Sequence, residues 1–215
     1  MPETSAGIHL EQATGQKYSI HIPHRHMQGE TVPLIVLLHW GGQKYRYHGR
    51  DILEQFGFPA FSEMEAIIVA PDRKRKHWAM PRAAKDLARL IDYLDEHYHL
   101  DHRKRAVVGF SAGGMGVWYL GAERPDLFSC GVAVASPVPA HLAEMRWRFP
   151  VYAVHSELDE LFPYRVNAER VAAMQEQGAP VTLKMVEFAS HTNVRDYIPA
   201  AAQSAGWMRE IWGES

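Results

Sequence analysis

The sequence Gly-Phe-Ser-Ala-Gly at residues 109–113 constrains the fold more than any other feature of the chain. It follows the apolar run at 105–108 and precedes a stretch with helical spacing, so it predicts a sharp turn from a strand into a helix. Residues two before and two after the central serine crowd one another in such a turn, and Gly109 and Gly113 suit both places. The turn exposes the hydroxyl of Ser111, which is the arrangement of a nucleophile elbow.

The same pattern also arises by chance in glycine-containing turns, so its surroundings decide its interpretation. Short β-branched and apolar runs alternate with longer helical patterns, which is typical of a mostly parallel sheet covered by helices on both faces. We expect about eight strands, the first two forming an antiparallel N-terminal hairpin, at residues 7–12, 17–22, 32–39, 66–71, 105–110, 130–136, 149–155 and 181–188. The helical candidates are residues 81–98, 111–120, 165–177 and 199–212.

The length and composition favour one ordinary globular unit. We expect a single α/β domain over residues 1–215 without a cap domain, because no repeat or linker divides the chain and the stretch between 136 and 149 is too short for a lid. The formal net charge of -2 gives no global bias towards nucleic acid or a membrane surface.

The cysteine content and the lengths of the apolar runs bear on where in the cell the protein is located. Cys130 is the only cysteine, which excludes an internal disulfide, and its place in an apolar strand predicts a buried hydrophobe. The N-terminus lacks a basic segment followed by an apolar one, and no apolar run approaches the roughly 20 residues of a membrane helix. A cytoplasmic location is therefore the expectation.

Polar residues follow several of the predicted strands, at the sheet edge where ligands bind in doubly wound folds. The loop 39–42 follows one strand, Asp159 lies on a short turn after another, and His191 follows the last. Together with Ser111 these residues have the chain order serine, acid, histidine, which is the order of the α/β-hydrolase triad.

These residues resemble the α/β-hydrolase superfamily, and more narrowly its small carboxylesterase, dienelactone-hydrolase and feruloyl-esterase-like members, including predicted serine peptidases. The resemblance covers nearly the whole chain. Its most specific segments are GFSAGGMGVW at 109–118, RPDLF at 124–128, and the spacing of His155, Asp159 and Pro163.

The resemblance implies an α/β-hydrolase fold and a serine carboxylic-ester hydrolase that works through an acyl-enzyme, without a cofactor, on small or aryl esters. Ser111 is expected to attack the acyl carbon and His191 to take and later return a proton. Asp159 is expected to orient the imidazole and to stabilise its charged form.

The oxyanion hole is expected to use the backbone N–H of Ala112 together with that of Gly41 or Trp40. Gly41 is favoured, since it occupies the donating place when the family loop is aligned on His39. The family pattern has glycine where this chain has Trp40 after His39, and also where it has Ser156 after His155.

Neighbouring titratable residues have alternative interpretations. Glu157 and Glu160 share the turn of Asp159, but only Asp159 stands where the family carries its acid. His39 and His155 precede the last strand, so we expect them to bond loop backbone beneath the site.

Other features stay open. Trp78, Met115 and Trp40 are candidates for the wall of a substrate pocket, although packing beneath a loop explains each of them. The basic run 73–76 either forms a solvated loop or attracts anionic substrates. No metal site is expected, because two histidine clusters lack a convincing ligand set: His21, His24 and His26, and His97, His99 and His102.

The expected partner is a small-molecule ester, with no nucleic acid or membrane, and the expected assembly is a monomer or homodimer. Two rival functions use the same fold: a serine peptidase or amidase, and a non-catalytic binding protein. A thiol-dependent dienelactone-type hydrolase would need cysteine in place of Ser111.

Overall fold

The computed structural model describes residues 7–42, 48–73 and 77–214. Within these residues one eight-stranded sheet has the order β1-β2-β4-β3-β5-β6-β7-β8. The strands are β1 Gly7–Ala13, β2 Gln16–Ile22, β3 Val32–Leu38, β4 Ile67–Pro71, β5 Leu100–Phe110, β6 Cys130–Val134, β7 Val151–Ser156 and β8 Val181–Val186. β2 is antiparallel to β1 and β4, and the other neighbours are parallel, which confirms the predicted sheet.

Helices surround this sheet. They are α1 His24–Met27, α2 His48–Ile52, α3 Phe58–Phe61, α4 Pro81–His97, α5 Ala112–Glu123, α6 Tyr164–Glu176 and α7 Ile198–Ile211. A π-helical turn, Leu53–Gly57, joins α2 to α3. The last four helices lie within a few residues of their predicted positions, whereas the three short helices α1, α2 and α3 and the π-helical turn were not predicted.

The N-terminal hairpin turns through two residues that both have positive φ, Thr14 at 53° and Gly15 at 69°. Two positive φ values match the twist of a tight hairpin, and the Ala13 and Gln16 pair closes it. Tyr18 Oη donates a hydrogen bond of 2.6 Å to the Glu11 carboxylate on the neighbouring strand. The first two strands therefore form the predicted antiparallel pair.

Alternate side chains of each central strand enter two separate apolar layers. In β3, Leu34 and Val36 pack in the layer that includes α4, α5 and α6, and Ile35 and Leu37 pack in the layer that includes α2, α3 and α7. Both faces of the sheet are therefore covered. Because the strands from β3 to β8 are parallel, their carboxyl ends meet at one edge, where the predicted site residues follow them.

Two details extend the sequence expectations. β5 begins at Leu100 rather than at 105, and Leu100 pairs with Val32 before a register shift in β3. Cys130 is buried, and burial raises the pKa of its thiol to about 12, so it stays protonated at neutral pH.

None of the helices in the described ranges is long and apolar enough to cross a membrane.

Candidate active site

Ser111 lies at the turn between β5 and α5 in a backbone conformation that L-residues rarely adopt, with φ 53° and ψ −113°. The two flanking glycines make this turn possible. A Cβ at Gly109 would lie 2.2 Å from the Gly113 carbonyl carbon, and a Cβ at Gly113 would lie 1.8 Å from the Leu38 carbonyl oxygen. Neither position has room for a side chain, so the strand and helix approach closely enough to present the serine hydroxyl.

His191 lies in the loop after β8 and contacts that hydroxyl directly. Its Nε2 is 2.8 Å from Ser111 Oγ, which is hydrogen-bonding distance for proton transfer to the imidazole. The backbone N–H of His191 donates a hydrogen bond of 2.8 Å to the carboxylate of Glu160. The loop is thus held both through its imidazole and through its main chain.

Asp159 uses its two carboxylate oxygens for different partners. Oδ2 accepts a hydrogen bond of 2.9 Å from His191 Nδ1. Oδ1 accepts backbone N–H bonds from Leu161 at 2.9 Å and Phe162 at 2.8 Å. Asp159 and His191 are both buried. These bonds fix the carboxylate and place the N–H on Nδ1, so Nε2 is free to accept the serine proton.

The two competing glutamates differ. Glu160 binds the main chain of His191, and this hydrogen bond is the largest cause that lowers the pKa of its carboxyl. Glu157 is exposed. Asp159 is therefore the carboxylate that reaches the imidazole, at the position the sequence predicts.

Ser156, which replaces a glycine of the family pattern, connects the two loops. Its Oγ accepts backbone N–H bonds from Leu158 at 3.1 Å and from Ala189 at 3.2 Å. Leu158 precedes the aspartate and Ala189 precedes the histidine loop, so one hydroxyl ties both segments to the end of β7. The serine that replaces this glycine therefore helps to hold the Asp159 and His191 loops in place.

His155 binds backbone beneath the site, as the sequence predicts. Its Nε2 donates to the Phe162 carbonyl at 2.6 Å, and its Nδ1 accepts from Asn167 Nδ2 at 3.1 Å. Burial lowers its pKa, so the ring is neutral although Nε2 also lies 3.6 Å from Asp159 Oδ2. Because the His155 ring is neutral, it does not form an ion pair with Asp159. The charge of the Asp159 carboxylate therefore acts on His191.

His39 performs a similar role at the end of β3. Its Nδ1 donates to the Trp40 carbonyl at 2.7 Å, and its Nε2 accepts the N–H of Arg73 at 3.2 Å. Burial lowers its pKa to about 3, which keeps the ring neutral. Because a planar peptide holds its C=O and N–H in opposite directions, the N–H of Gly41 points away from the His39 ring.

The candidate oxyanion donors lie on adjacent segments. Ala112 is the first residue of α5, so its N–H has no partner within the helix. Gly41 approaches it closely, since a Cβ built on Gly41 would lie 3.5 Å from the Ala112 Cβ. The geometry thus brings the predicted donor segments together beside Ser111.

A cavity of about 500 Å³ opens beside the serine. Its apolar lining consists of Trp40, Phe110, Leu161 and Val194. The rest of the described lining is Gly41, Gln55, Ser111, His191 and Thr192. Trp40 is a wall residue that the sequence predicts as a candidate, whereas Gln55, on the unpredicted π-helical turn, was not predicted. The same is true of Phe110, Leu161 and Val194.

The predicted pocket roles of Trp78 and Met115 are wrong, since neither side chain is part of that described lining. Trp78 is 2% exposed, and its Nε1 donates a hydrogen bond of 2.8 Å to the His39 carbonyl. It packs so tightly on α5 that a Cβ at Gly116 would lie 2.7 Å from its own Cβ. Met115 lines a different cavity, of about 460 Å³, together with Tyr119.

None of the remaining sequence candidates that the structure describes lines the cavity beside Ser111. Arg73 donates its backbone N–H to His39, while residues 74–76 of the basic run lie outside the described residues. His26 and His99, one from each histidine cluster, lie with ring centroids 5.8 Å apart. Where the chain is described, no three His, Cys, Asp or Glu side chains form a group that could hold a metal ion.

The class of protein follows from this arrangement. A mostly parallel eight-stranded sheet with an N-terminal hairpin carries a serine on a strained turn, hydrogen-bonded to a histidine and through it to a buried aspartate. This combination defines an α/β hydrolase.

Comparison with known proteins narrows the class. Residues 12–205 match the family model described as "Putative esterase", so the chain belongs to this esterase family. The chain is 36% identical over 87 residues to "Putative esterase NocK" of Nocardia uniformis subsp. tsuyamanensis, a match covering 39% of this chain and 25% of that protein.

Two solved structures have the same fold. A thermostable esterase superposes with a TM-score of 0.72 at 18% identity, covering 94% of this chain and 62% of that one. FphF, a fluorophosphonate-binding serine hydrolase of Staphylococcus aureus, gives a TM-score of 0.74 at 13% identity, covering 94% of this chain and 96% of that one. Identities this low show the fold alone.

Proposed function

We propose that this protein is a serine carboxylic-ester hydrolase that acts through an acyl-enzyme on small or aryl esters. The observation that carries the proposal is the continuous hydrogen-bond chain from Ser111 Oγ to His191 at 2.8 Å and on to Asp159 at 2.9 Å. Membership in the esterase family supports it. The cavity, open to solvent and lined partly by aromatic side chains, suits small or flat substrates.

In the first half of the reaction, Ser111 Oγ bonds to the acyl carbon while His191 Nε2 takes the hydroxyl proton. The charged Asp159 stabilises the imidazolium that forms, and it keeps the ring oriented throughout. The imidazolium then returns the proton to the leaving alkoxide as the C–O bond breaks. The alcohol leaves, and the acyl group stays on Ser111.

The negative charge that develops on the acyl oxygen needs N–H donors. We assign Ala112 and Gly41 to this role, because Ala112 opens α5 and Gly41 lies against it. The bond between His39 and the Trp40 carbonyl turns the Gly41 N–H away from the His39 ring and so supports Gly41 over Trp40 as the second donor.

In the second half, water attacks the acyl-enzyme with His191 acting as its general base, and the acid is released with Ser111 regenerated. Every proton transfer uses the same imidazole, so this chain's own side chains and backbone supply each step. The reaction requires no cofactor in this scheme.

Paired substrates and an active-site probe test the proposal. We expect hydrolysis of p-nitrophenyl acetate or butyrate, and covalent labelling by a fluorophosphonate that disappears in Ser111→Ala. Ser129→Ala is the matched control, because Ser129 directly precedes β6 and donates to the Arg105 carbonyl. Turnover of aminoacyl p-nitroanilides alone would indicate a peptidase, and no labelling of the wild type would indicate a binding protein.

The compartment and assembly remain predictions from the sequence. Cell fractionation tests the expected cytoplasmic location, and size-exclusion chromatography with light scattering tests the expected monomer or homodimer. A single domain predicts one cooperative unfolding transition for the whole chain.

A further inference from the structure

The carboxylate of Asp159 faces two histidines. Its Oδ2 accepts the hydrogen bond from His191 Nδ1 at 2.9 Å, and His155 Nε2 lies 3.6 Å from the same oxygen. All three side chains are buried. A second proton on His155 would create an imidazolium beside Asp159, and the carboxylate would then stabilise a proton on His191 less well. The protonation state of His155 therefore bears on the proposed base.

Asn167, on α6, contacts the other nitrogen of the His155 ring and is only 2% exposed. Its Nδ2 lies 3.1 Å from His155 Nδ1 and also 3.1 Å from the Ser136 carbonyl oxygen, while its Oδ1 accepts the N–H of Val138 at 2.9 Å. A flipped amide would set oxygen against that carbonyl and NH₂ against that N–H. The two backbone groups therefore fix the amide so that it presents a donor to His155.

A donor opposite Nδ1 determines which nitrogen of the His155 ring carries the proton. Nδ1 needs a lone pair to accept from Asn167, so the proton is on Nε2, which donates it to the Phe162 carbonyl at 2.6 Å. A proton on Nδ1 would meet the N–H of the amide and be buried without an acceptor. Burial of the ring, which lowers its pKa, acts in the same direction.

The charges that face His155 come from two segments. Asp159, on the turn after β7, favours the protonated form of the ring, and His191, in the loop after β8, disfavours it. The aromatic ring of Tyr164, at the start of α6, has its centroid 6.4 Å from that of His155. Asp159 is therefore the neighbour that would favour a second proton on His155 if the donor of Asn167 were absent.

We propose that Asn167 is a positioning residue for the hydrolysis, because it prevents His155 from taking a second proton and competing with His191 for the Asp159 carboxylate. Asn167 is not part of the described lining of the cavity beside the serine, so it acts through His155. This inference rests on the proposed esterase function and adds to it a residue on α6 that controls the charge around the base.

Asn167→Asp replaces the donor with a carboxylate, so that Nδ1 of His155 can carry a proton. In profiles of kcat/KM against pH for p-nitrophenyl acetate, the acid limb should move down by about half to one pH unit, because an imidazolium beside Asp159 disfavours a proton on His191. Above that limb kcat should fall roughly three- to tenfold, since the base is weaker. KM should stay within about twofold, because Asn167 does not touch the substrate.

Two further variants isolate the role of the ring. Gln175→Glu makes the same change of amide to carboxylate at an exposed position of α6, and it should leave the acid limb where it is in the wild type. In a His155→Gln background, which has no ring to protonate, adding Asn167→Asp should not lower the acid limb. An acid limb that moves down equally with and without His155 overturns the inference.

Nitrogen NMR of the wild type tests the state of the ring without any substitution. Between about pH 5 and 8 we expect His155 to carry a proton on Nε2 and none on Nδ1, whereas in Asn167→Asp both nitrogens should be protonated. A wild-type Nδ1 that carries a proton in this range overturns the inference alone, while ester hydrolysis is still observed. A wild type that neither reacts with a fluorophosphonate nor hydrolyses any ester overturns the proposed function, and the role of Asn167 with it.

Discussion

The carboxylate of Glu160 accepts a hydrogen bond of 2.8 Å from the backbone N–H of His191. The adjacent residue, Asp159, binds the imidazole of the same histidine. One turn after β7 therefore holds both the main chain and the side chain of the proposed base. Because Glu160 is exposed, its contribution is to position the loop rather than to supply a buried charge.

Replacement of Glu160 tests this positioning. Glu160→Ala should lower kcat for p-nitrophenyl acetate roughly tenfold, because the His191 N–H loses its acceptor and the imidazole is held less firmly against Ser111. Glu160→Gln should retain most activity, since an amide oxygen still accepts the bond. Glu157→Ala, on the same turn and exposed, should match the wild type, and an equal loss there would contradict the positioning role.

Asp159→Asn should lower kcat by about three to four orders of magnitude while the fold is retained. The amide oxygen can still accept the N–H groups of Leu161 and Phe162, but its NH₂ would face His191 and favour the wrong tautomer. Steady-state kinetics and thermal unfolding on the same sample separate these effects. Activity within tenfold of wild type would remove Asp159 from the mechanism.

Chain order and strand ends made the serine, aspartate and histidine predictable. Each of Ser111, Asp159 and His191 follows an apolar strand, and the parallel topology brings the ends of such strands to one edge. The position of each residue after an apolar strand can be recognised from the local sequence. The parallel topology then predicts that the three residues lie close together. The hydrogen bonds that the structure describes are consistent with that prediction.

The cavity wall was less predictable, because its residues meet only through tertiary packing. Buried apolar residues at 52, 53, 56, 60 and 61 have helical spacing, but Gly57 and Pro59 interrupt the segment, and both residue types are typical of helix ends. The π-helical turn ends at that glycine. Trp78 was misplaced for a related reason, since its burial depends on contact with Gly116, a distant residue in sequence.

The two tryptophans near the β3 end should behave differently on substitution. Trp40→Ala should change the ratio of kcat/KM between p-nitrophenyl benzoate and acetate, because its side chain lines the cavity. Trp78→Phe should leave that ratio unchanged and lower the free energy of unfolding by about 1–2 kcal/mol, since a buried indole N–H bond to the His39 carbonyl is lost. A changed ratio of kcat/KM in Trp78→Phe would indicate that Trp78 contributes to the pocket wall.

His39 should make the protein less stable as the pH falls. Its folded-state pKa is lowered to about 3 by burial, whereas the ordinary value is 6.5. Above pH 6.5 neither state is protonated and stability is unaffected. Below it the unfolded chain binds a proton that the folded chain does not bind until about pH 3, so this residue lowers the free energy of unfolding by about 1.4 kcal/mol per pH unit.

His39→Asn isolates this effect, since its amide N–H₂ can replace the Nδ1 donor to the Trp40 carbonyl without titrating. Urea unfolding at several pH values between 7 and 4 should give a shallower pH dependence than in the wild type, whatever the variant's stability at neutral pH. His141→Asn, an exposed histidine, should keep the wild-type slope. Parallel curves for wild type and His39→Asn would mean that the ring titrates in the folded protein as it does in the unfolded chain.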